Sequence, residues 1–417
     1  MMEQNNKLKR AVAINTLTNN SSKIINKAKF VSLLIVILML NACSTVLYNV
    51  KEDVKPIMAP YEIKESELLN VSIKQFEPGE LPTDEDDKRG LSEEIRSAEA
   101  RFMPIHLKYT MQRTGYWGNV RVVPDDNEGS EVIVKGKIIN SDGENIELAI
   151  EVFDAGNNKW FEKNYEETVG VDQQKITEAE RNDRFQNIYN EISNDIIEYR
   201  LQIKSAEIKR IKEIAELRFA NFMAAETFSS YIAKDKEGKF HLRKLPSDND
   251  TMLARVRSIK ARDDMLIDTL NNYYDVYYSD IWDSYDNWRK FRCEELESIR
   301  EIERKALTQK ILGAVAIIGA IALGASKNSD VVNRTGALRT VMIAGGGYAV
   351  YSGIQTSKES EINKEVIEEL GASFEIEVEP VVIDVDGKTM KLTGTADQQY
   401  GKWRQLLKKI YHKETGF

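Results

Sequence analysis

Histidine and cysteine are scarce in this chain of 417 residues, and what there is of them is spread out. No group of them has the spacing of zinc ligands. No Gly-x-Ser-x-Gly elbow occurs, and the glycines of 345–347 lack the Lys-Ser/Thr that completes a phosphate-binding loop. We therefore predict no enzyme, no cofactor and no metal site, although a hydrolase built on carboxylate pairs brought together by folding stays open. The residues concerned are His106, His241, His412, Cys43 and Cys293.

A hydrophobic run long enough to span a membrane is missing from the start of the chain. The apolar run there, residues 30–40, has eleven residues. At a rise of ~1.5 Å per residue it falls short of the ~30 Å hydrocarbon core. A basic segment ending in Lys29 precedes it, and the small residue Ala42 follows. This order is typical of a cleaved secretory signal.

The end of that segment, Leu40-Asn41-Ala42-Cys43, resembles the lipobox of bacterial lipoproteins. In that family the cysteine sulfur receives a diacylglyceryl group and becomes the acylated N-terminus of the mature chain. The resemblance predicts a signal peptide over 1–42 and lipid attachment at Cys43, and two or three acyl chains anchor a protein stably. Ser44, rather than Asp, follows the cysteine, which by the family's sorting rule implies the outer membrane, facing the periplasm. The alternative is an ordinary signal peptide with a chance cysteine.

Positive charge is also in short supply. Removing residues 1–42 removes six basic residues and one acidic residue, which leaves 52 basic and 66 acidic residues and a net charge of −14. This balance argues against nucleic acid as a partner and against a polybasic contact with anionic lipid. With Cys43 acylated, no intramolecular disulfide can form, and we interpret Cys293 as a packed small hydrophobe rather than a reactive thiol.

After a tether over 43–66, residues 67–170 have the pattern of a small α/β domain. Residues 69–76 alternate as a strand, and Ser92 is a good N-cap for a helix that runs toward Gly115, with Pro104 predicted to kink or break it. Three strands follow: the first ends at 124–126, a turn at 141–143 separates the second from the third, and the chain turns again at 154–158. We expect an antiparallel or mixed sheet covered by a helix.

This order of strand, helix and three strands resembles the periplasmic α/β domain of the curli-secretion channel lipoprotein, and the amino-terminal domain of the Tol-system propeller protein shares the plan. The similarity rests on short strand and turn segments and covers residues 67 to about 168. It implies a docking or assembly module in the cell envelope, with no catalytic residues to transfer. The segments are 76–79, 120–124, 136–143 and 152–156.

Residues 171–310 are predicted to form an antiparallel helical hairpin arm. One helix is expected over about 176–232, where apolar residues recur at steps of three and four, as at Ile208, Ile211 and Ala215. After a break at 234–250, a second helix, capped by Asp248 or Asp250, is expected to run toward residue 310.

The second helix carries a dense aromatic stretch at 273–288, interleaved with aspartates. These rings can form a glycan- or peptide-binding face, or they can be a bulky helical core with a solvated acidic side. The helical spacing of several of them favours the core, and aromatic residues on more than one face allow a further contact. The aromatic residues are Tyr273, Tyr274, Tyr277, Tyr278, Trp282, Tyr285 and Trp288.

Residues 311–355 contain two apolar, glycine-rich segments around a polar middle. Each segment spans only ~20 Å as a helix, below the usual length for a bilayer. One interpretation is a membrane-inserting hairpin, since these segments resemble the glycine-zipper segments of some outer-membrane lipoproteins. The other is a hairpin buried against the helical arm.

Residues 360–417 have the pattern of a second small α/β domain. A hairpin turning at Asp386-Gly387 is expected, followed by an amphipathic helix over 398–412. The segment resembles the periplasmic BON module, which implies contact with membranes or partners. The basic face of its helix is a candidate for lipid headgroups, or simply a solvated surface; it consists of Lys402, Arg404, Lys408 and Lys409.

Together these patterns predict an α+β fold: two small helix-covered sheets flanking a long antiparallel helical hairpin and a glycine-rich apolar hairpin. The predicted function is a lipid-anchored outer-membrane protein with a structural, assembly or partner-docking role in the periplasm. The alternatives are a membrane-inserting or channel-forming lipoprotein and a cell-wall glycan-binding protein. Expected partners are the membrane, through Cys43 and, in the membrane-inserting interpretation, the hairpin of 311–355, other envelope proteins, and a second copy of the chain.

Overall fold

The structure is a computed structural model, and it describes residues 53–83, 91–124, 128–170, 183–247, 249–322, 365, 367–368, 381–385 and 388–415. The predicted signal peptide, Cys43 and residues 323–355 of the glycine-rich segment lie outside the described residues. Most of residues 360–380, at the start of the predicted C-terminal α/β domain, lies outside them too. The described part is a mixed α and β structure, which agrees with the predicted α+β class.

A five-stranded mixed sheet forms the centre of the α/β part, with the strand order β2-β1-β3-β4-β5. β1 runs parallel to both β2 and β3, and β3, β4 and β5 form an antiparallel meander. Side chains of β4 alternate between buried and half-buried, as the period-two pattern predicted. The strands are β1 (Leu69–Lys74), β2 (Trp117–Val123), β3 (Val132–Ser141), β4 (Asn145–Asp154) and β5 (Lys159–Thr168).

Helix α1 (Glu93–Arg113) covers the sheet, and the Ser92 hydroxyl accepts a hydrogen bond from the Ile95 N–H at 3.2 Å, which confirms the N-cap. Of the two outcomes predicted at Pro104, a kink or a break, the break is wrong, because the helix runs through this residue. Proline cannot donate to the carbonyl four residues earlier. That carbonyl, of Ala100, accepts instead from the Phe76 N–H at 2.9 Å, so the missing helical bond is replaced by a tertiary one.

The single helix expected over 176–232 is divided into α2 (Gln186–Gln202), α3 (Ser205–Met223) and the short α4 (Ala225–Phe228). Ile203 adopts an extended conformation with ψ 128°, and its N–H bonds to the Arg200 carbonyl as α2 ends. α2 then packs on α1 and β5, while α3 packs on the following long helix. The two-helix hairpin arm is therefore not confirmed. The predicted stripe of α3 is buried at Ile208, Ile211, Ala215 and Phe219.

The break between the helices contains a small hairpin that the sequence did not predict, β6 (Ile232–Lys234) with β7 (Phe240–Leu242). The long helix α5 (Thr251–Ala322) follows and has 72 residues, or ~108 Å at 1.5 Å per residue. Asp250 caps it by accepting from the N–H groups of Met252 and Leu253, each at 2.9 Å, which confirms one of the two predicted caps.

α5 continues past the expected boundary at 310 into the first glycine-rich segment, because Ala, Leu and Ile around Gly313 and Gly319 are compatible with helix. Within the described ranges, no helix is both long and apolar enough to cross a membrane.

The C-terminal part contains the predicted hairpin, β8 (Val381–Val385) antiparallel to β9 (Lys388–Leu392), and the predicted amphipathic helix, α6 (Ala396–Thr415). The apolar face of α6, including Trp403, Leu407 and Ile410, is buried, and α6 packs on α5 and α3. Buried side chains from the central sheet, the helices and α6 belong to one hydrophobic cluster.

Candidate functional site

The structure bears on the prediction for only one of the two cysteines. Cys43 lies outside the described residues. Cys293 is fully buried on α5, and its thiol donates to the Val169 carbonyl at 3.4 Å. Burial, reinforced by the charge of Glu144, raises the pKa of the Cys293 thiol to about 12. The thiol is therefore protonated at neutral pH, which supports the interpretation of a packed small hydrophobe.

The aromatic stretch of α5 mostly faces the core. Tyr274, Tyr277, Tyr285 and Trp288 are buried among residues of the single hydrophobic cluster, as the core interpretation predicted. Three other rings, Tyr273, Tyr278 and Trp282, are only partly buried. The second face of the stretch therefore offers aromatic surface beyond what the core uses.

Tyr278 and Trp282 line an open groove of about 420 Å³, which we call the aromatic groove. The Tyr278 and Trp282 rings lie 5.3 Å apart, and Tyr109 of α1 lies 5.3 Å from Tyr278. Rings in such tilted arrangements attract one another and leave faces open for a ligand. The groove is lined by His106, Tyr109, Gln112, Arg113, Asp183, Gln186, Tyr278 and Trp282.

His106 forms the base of the aromatic groove, and both of its ring nitrogens have partners. Nδ1 lies 2.6 Å from the Tyr278 hydroxyl, and Nε2 lies 3.0 Å from Oε1 of Gln186. Burial lowers the pKa of His106, so the ring is neutral at pH 7. A neutral imidazole that bonds on both sides orients its neighbours and has no lone pair left for a substrate proton.

Behind the groove lies a buried set of charges that we call the Asp183–Arg289 junction. The Arg289 guanidinium donates to both carboxylate oxygens of Asp183, at 3.1 and 2.7 Å, and both side chains are almost fully buried. Beside them, Arg184 pairs with Asp286 at 3.1 Å. Burial is the largest single effect and raises the pKa of Asp183, but the nearby charges, that of Arg289 first, and the hydrogen bonds to the carboxylate together outweigh it and lower the pKa to about 2. The pair therefore stays ionised and joins the start of α2 to α5.

A second buried carboxyl, Glu99 of α1, links α5 to strand β3 of the sheet. It accepts hydrogen bonds from the Ser141 hydroxyl at 2.5 Å and from the Tyr285 hydroxyl at 2.8 Å. Burial raises its pKa, against the opposing charge of Arg96. Its exposure of 1% leaves no path for a substrate, so we assign it to packing rather than to catalysis.

A polar cleft of about 290 Å³ lies between the sheet, α3 and α5. Most of its charged side chains form ion pairs. Arg121 donates to both oxygens of Asp268, at 2.6 and 2.9 Å, and Lys260 pairs with Asp264. Glu131 accepts from the Asn70 N–H at 2.7 Å, and burial raises its pKa. The cleft is thus an ion-paired interface. Among the residues the structure describes, no group of His, Cys, Asp and Glu could hold a metal ion.

The basic face of α6 largely contacts the protein itself. Arg404 pairs with Glu128 and stacks on the Phe222 ring, 3.8 Å from its centroid, and Lys408 lies 3.7 Å from the same centroid. Lys402 donates to the Thr393 carbonyl at 2.8 Å. These contacts favour neither a lipid-binding face nor a simply solvated one.

Sequence reasoning missed the residues that organise these sites. Asp183 and Arg289 are 106 positions apart, and no local pattern marks their pairing. In the sequence, His106 stands out only as an isolated histidine. No protein-family model, no curated protein and no solved structure matches this chain.

Proposed function

We propose that this protein is a lipid-anchored component of the bacterial cell envelope, in which the α/β body carries α5 as a rigid strut for assembly with envelope partners. The lipobox resemblance of residues 40–43 supports the anchor. The observation that carries the assembly role is the series of polar contacts that fixes α5 to the body over most of its length.

One of these contacts lies at the sheet edge. The side-chain amide of Asn271 accepts from the Val122 N–H and donates to the Val122 carbonyl, each at 2.9 Å. β2 is an edge strand, and Asn271 satisfies its outer backbone groups as a neighbouring strand would. The helix is thus bonded to the backbone of the sheet as well as packed on it.

Further along α5, Arg289 pairs with Asp183, and Arg300 donates to both oxygens of the buried Glu144 carboxylate, at 2.5 and 2.7 Å. Bidentate pairs of this kind fix orientation as well as distance. From Arg257, which pairs with Glu216, to Arg300 the contacts span ~65 Å of helix. Beyond Arg300, Glu301 and Ile302 are exposed. A helix fixed in this way can present its distal turns to a partner without bending.

The anchor is tested by metabolic labelling with radioactive palmitate in a bacterial host that processes lipoproteins. We expect label on the original chain and on Cys293→Ala, and no label on Cys43→Ala. Cys293→Ala is the matched control, because it also removes one thiol and leaves the predicted lipobox intact. Equal labelling of all three proteins contradicts the anchor. So does the absence of label from all three when the leader is still present on the chain.

The assembly role is tested by photo-crosslinking in intact cells. A photoreactive residue replaces Ile302, which is 43% exposed beyond the last ion pair, or Val276, which is 59% exposed within the body. We expect the Ile302 position to give discrete crosslinks to an envelope protein or to a second copy of the chain. Crosslinks to the Val276 position alone, or to neither, contradict a strut with a distal contact.

A second candidate function, glycan binding in the envelope, is supported by the aromatic groove. Tyr109, Tyr278 and Trp282 offer partly exposed rings above a neutral polar base, an arrangement on which a sugar ring can stack. We expect purified peptidoglycan to retain the original chain and Val276→Ala, and to lose Trp282→Ala. Retention that is independent of Trp282 contradicts this use of the groove.

A further inference from the structure

Asp263, on α5 where α6 packs, is a buried carboxylate that lacks a protein hydrogen-bond donor. It is fully buried, and neither of its oxygens accepts a hydrogen bond. On α6, Tyr400 is 2% exposed, and its hydroxyl also has no hydrogen-bond partner. Burial raises the pKa of Tyr400, and the charge of Asp263 raises it further, which puts the two groups within electrostatic reach. A buried carboxylate without donors is costly when ionised.

The charged groups around Asp263 do not remove this cost. On α5 itself, Lys260 favours the ionised form, but Lys260 is paired with Asp264, whose charge opposes it. From α6, Arg404 also favours the ionised form, but it is paired with Glu128, which precedes β3 and opposes it. Each cation that faces Asp263 therefore comes with an anion of its own.

Burial outweighs these charges and raises the pKa of Asp263 from 3.8 to about 6. When α6 is released, Asp263 gains access to water and its pKa returns to ~3.9. The docked form thus binds the proton more tightly than the released form. Docking is therefore favoured by the full amount below pH ~4 and weakens as the pH rises from ~4 to ~6.

We propose that α6 is an acid-strengthened latch on α5 and α3, which docks most firmly when Asp263 is protonated and releases more readily when Asp263 is ionised. A protonated carboxyl carries no charge and can donate a hydrogen bond, so the interface closes over it at a lower cost than over the ionised form. Release exposes apolar side chains of the contact, including Phe222, Trp403 and Leu407. The latch thus makes an apolar surface available as the pH rises toward neutrality.

The test is hydrogen exchange of the full-length chain, followed by mass spectrometry of peptides from α6. The protection of α6 amides in Asp263→Asn is divided by that in the original chain across a pH series. We expect this ratio to rise about 50-fold between pH 4 and pH 7, because the two pKa values differ by two units and about half of the released Asp263 is already ionised at pH 4. The asparagine side chain can also change α6 protection by a factor that does not depend on pH, and such a factor does not affect the rise of the ratio. A ratio that does not change with pH overturns the proposal.

Two controls keep the test decisive. Asp268→Asn removes an exposed carboxylate from the same helix, away from α6, and is expected to give a ratio that does not rise. In the original chain, α6 protection is also compared with that of residues 283–293 of α5. This second comparison does not need the variant to fold. The latch predicts that protection of α6 falls between pH 4 and pH 7 relative to residues 283–293. If it does not fall, the proposal is overturned.

Discussion

Two buried aspartates lie at contacts of α5, and their surroundings shift the carboxyl pKa in opposite directions. At the Asp183–Arg289 junction, the carboxylate receives two hydrogen bonds from a guanidinium that is itself buried. At the latch, Asp263 is equally buried and receives none. The first arrangement fixes the ionised form and the second favours the neutral form. One helix therefore has a contact that is insensitive to pH near neutrality and another that responds to it.

The largest effect on stability is expected when one charge of the Asp183–Arg289 junction is removed. In Arg289→Met, Asp183 stays buried without its partner, and we expect a loss of ~3–5 kcal/mol in the free energy of unfolding. Urea denaturation at pH 7 measures the loss. The double variant Asp183→Asn with Arg289→Met removes both charges and is expected to lose less. If the single and double variants are equally stable, the pairing of the two charges does not stabilise the fold.

Removing a buried charge at the latch is expected to raise stability, whereas removing one at the junction lowers it. Asp263→Asn removes a carboxylate that is ionised at neutral pH against an opposing environment, so we expect the docked state to be stabilised at pH 7.5 by up to ~3 kcal/mol, two pKa units. The gain should disappear at pH 4, where Asp263 of the original chain is protonated. Urea denaturation at both pH values checks this. A loss of stability at pH 7.5 would show that the ionised carboxylate is stabilised in the docked state.

Asn271 lies on α5 between Asp263 and Arg289. It bonds to backbone groups and not to a charged side chain, so its contribution to stability should not depend on pH. Asn271→Ala leaves the Val122 N–H and carbonyl without their partner, and we expect a loss of ~1–3 kcal/mol that does not depend on pH. Exchange of the Val122 amide hydrogen should become faster, while protection at residues 283–293 stays unchanged. Faster exchange throughout α5 would mean that the helix loosens as a whole and not locally.

The smallest effect is expected at Ser92, away from both regions on α1. Ser92→Ala removes the N-cap bond to Ile95 and should cost ~1 kcal/mol. The matched control, Ser298→Ala on an exposed face of α5, should change stability by less than ~0.5 kcal/mol. Thermal unfolding of both variants gives the comparison. A larger effect at Ser298 would contradict the assignment of that face to solvent.

The sequence was informative wherever local chemistry determines the structure. Period-two alternation predicted β4, the hydroxyl of Ser92 predicted the start of α1, and Asp250 was one of two predicted caps of α5. The hairpin of β8 and β9 followed from its Asp-Gly turn. In each case the deciding interactions lie within a few residues of one another.

Prediction failed where the deciding partner is distant in sequence. α1 continues through Pro104 because Phe76 uses the carbonyl that proline leaves free. The basic face of α6 looks available for lipid until Phe222 and Glu128 are placed against it. The candidate sites share this property, since the aromatic groove combines α1, α2 and α5 and the latch combines α5 and α6. Periodicity and capping carry no information about such pairings.

The contrast between the two buried aspartates is tested most directly by titrating them. Carboxyl carbons of aspartate, labelled with ¹³C in the full-length chain, are followed by NMR from pH 3 upward, with Asp183→Asn and Asp263→Asn assigning the signals. We predict that Asp263 titrates near a pKa of about 6, while Asp183 has a pKa of about 2 and shows no titration above pH 4. An Asp263 signal that is fully ionised at pH 5 would contradict the account.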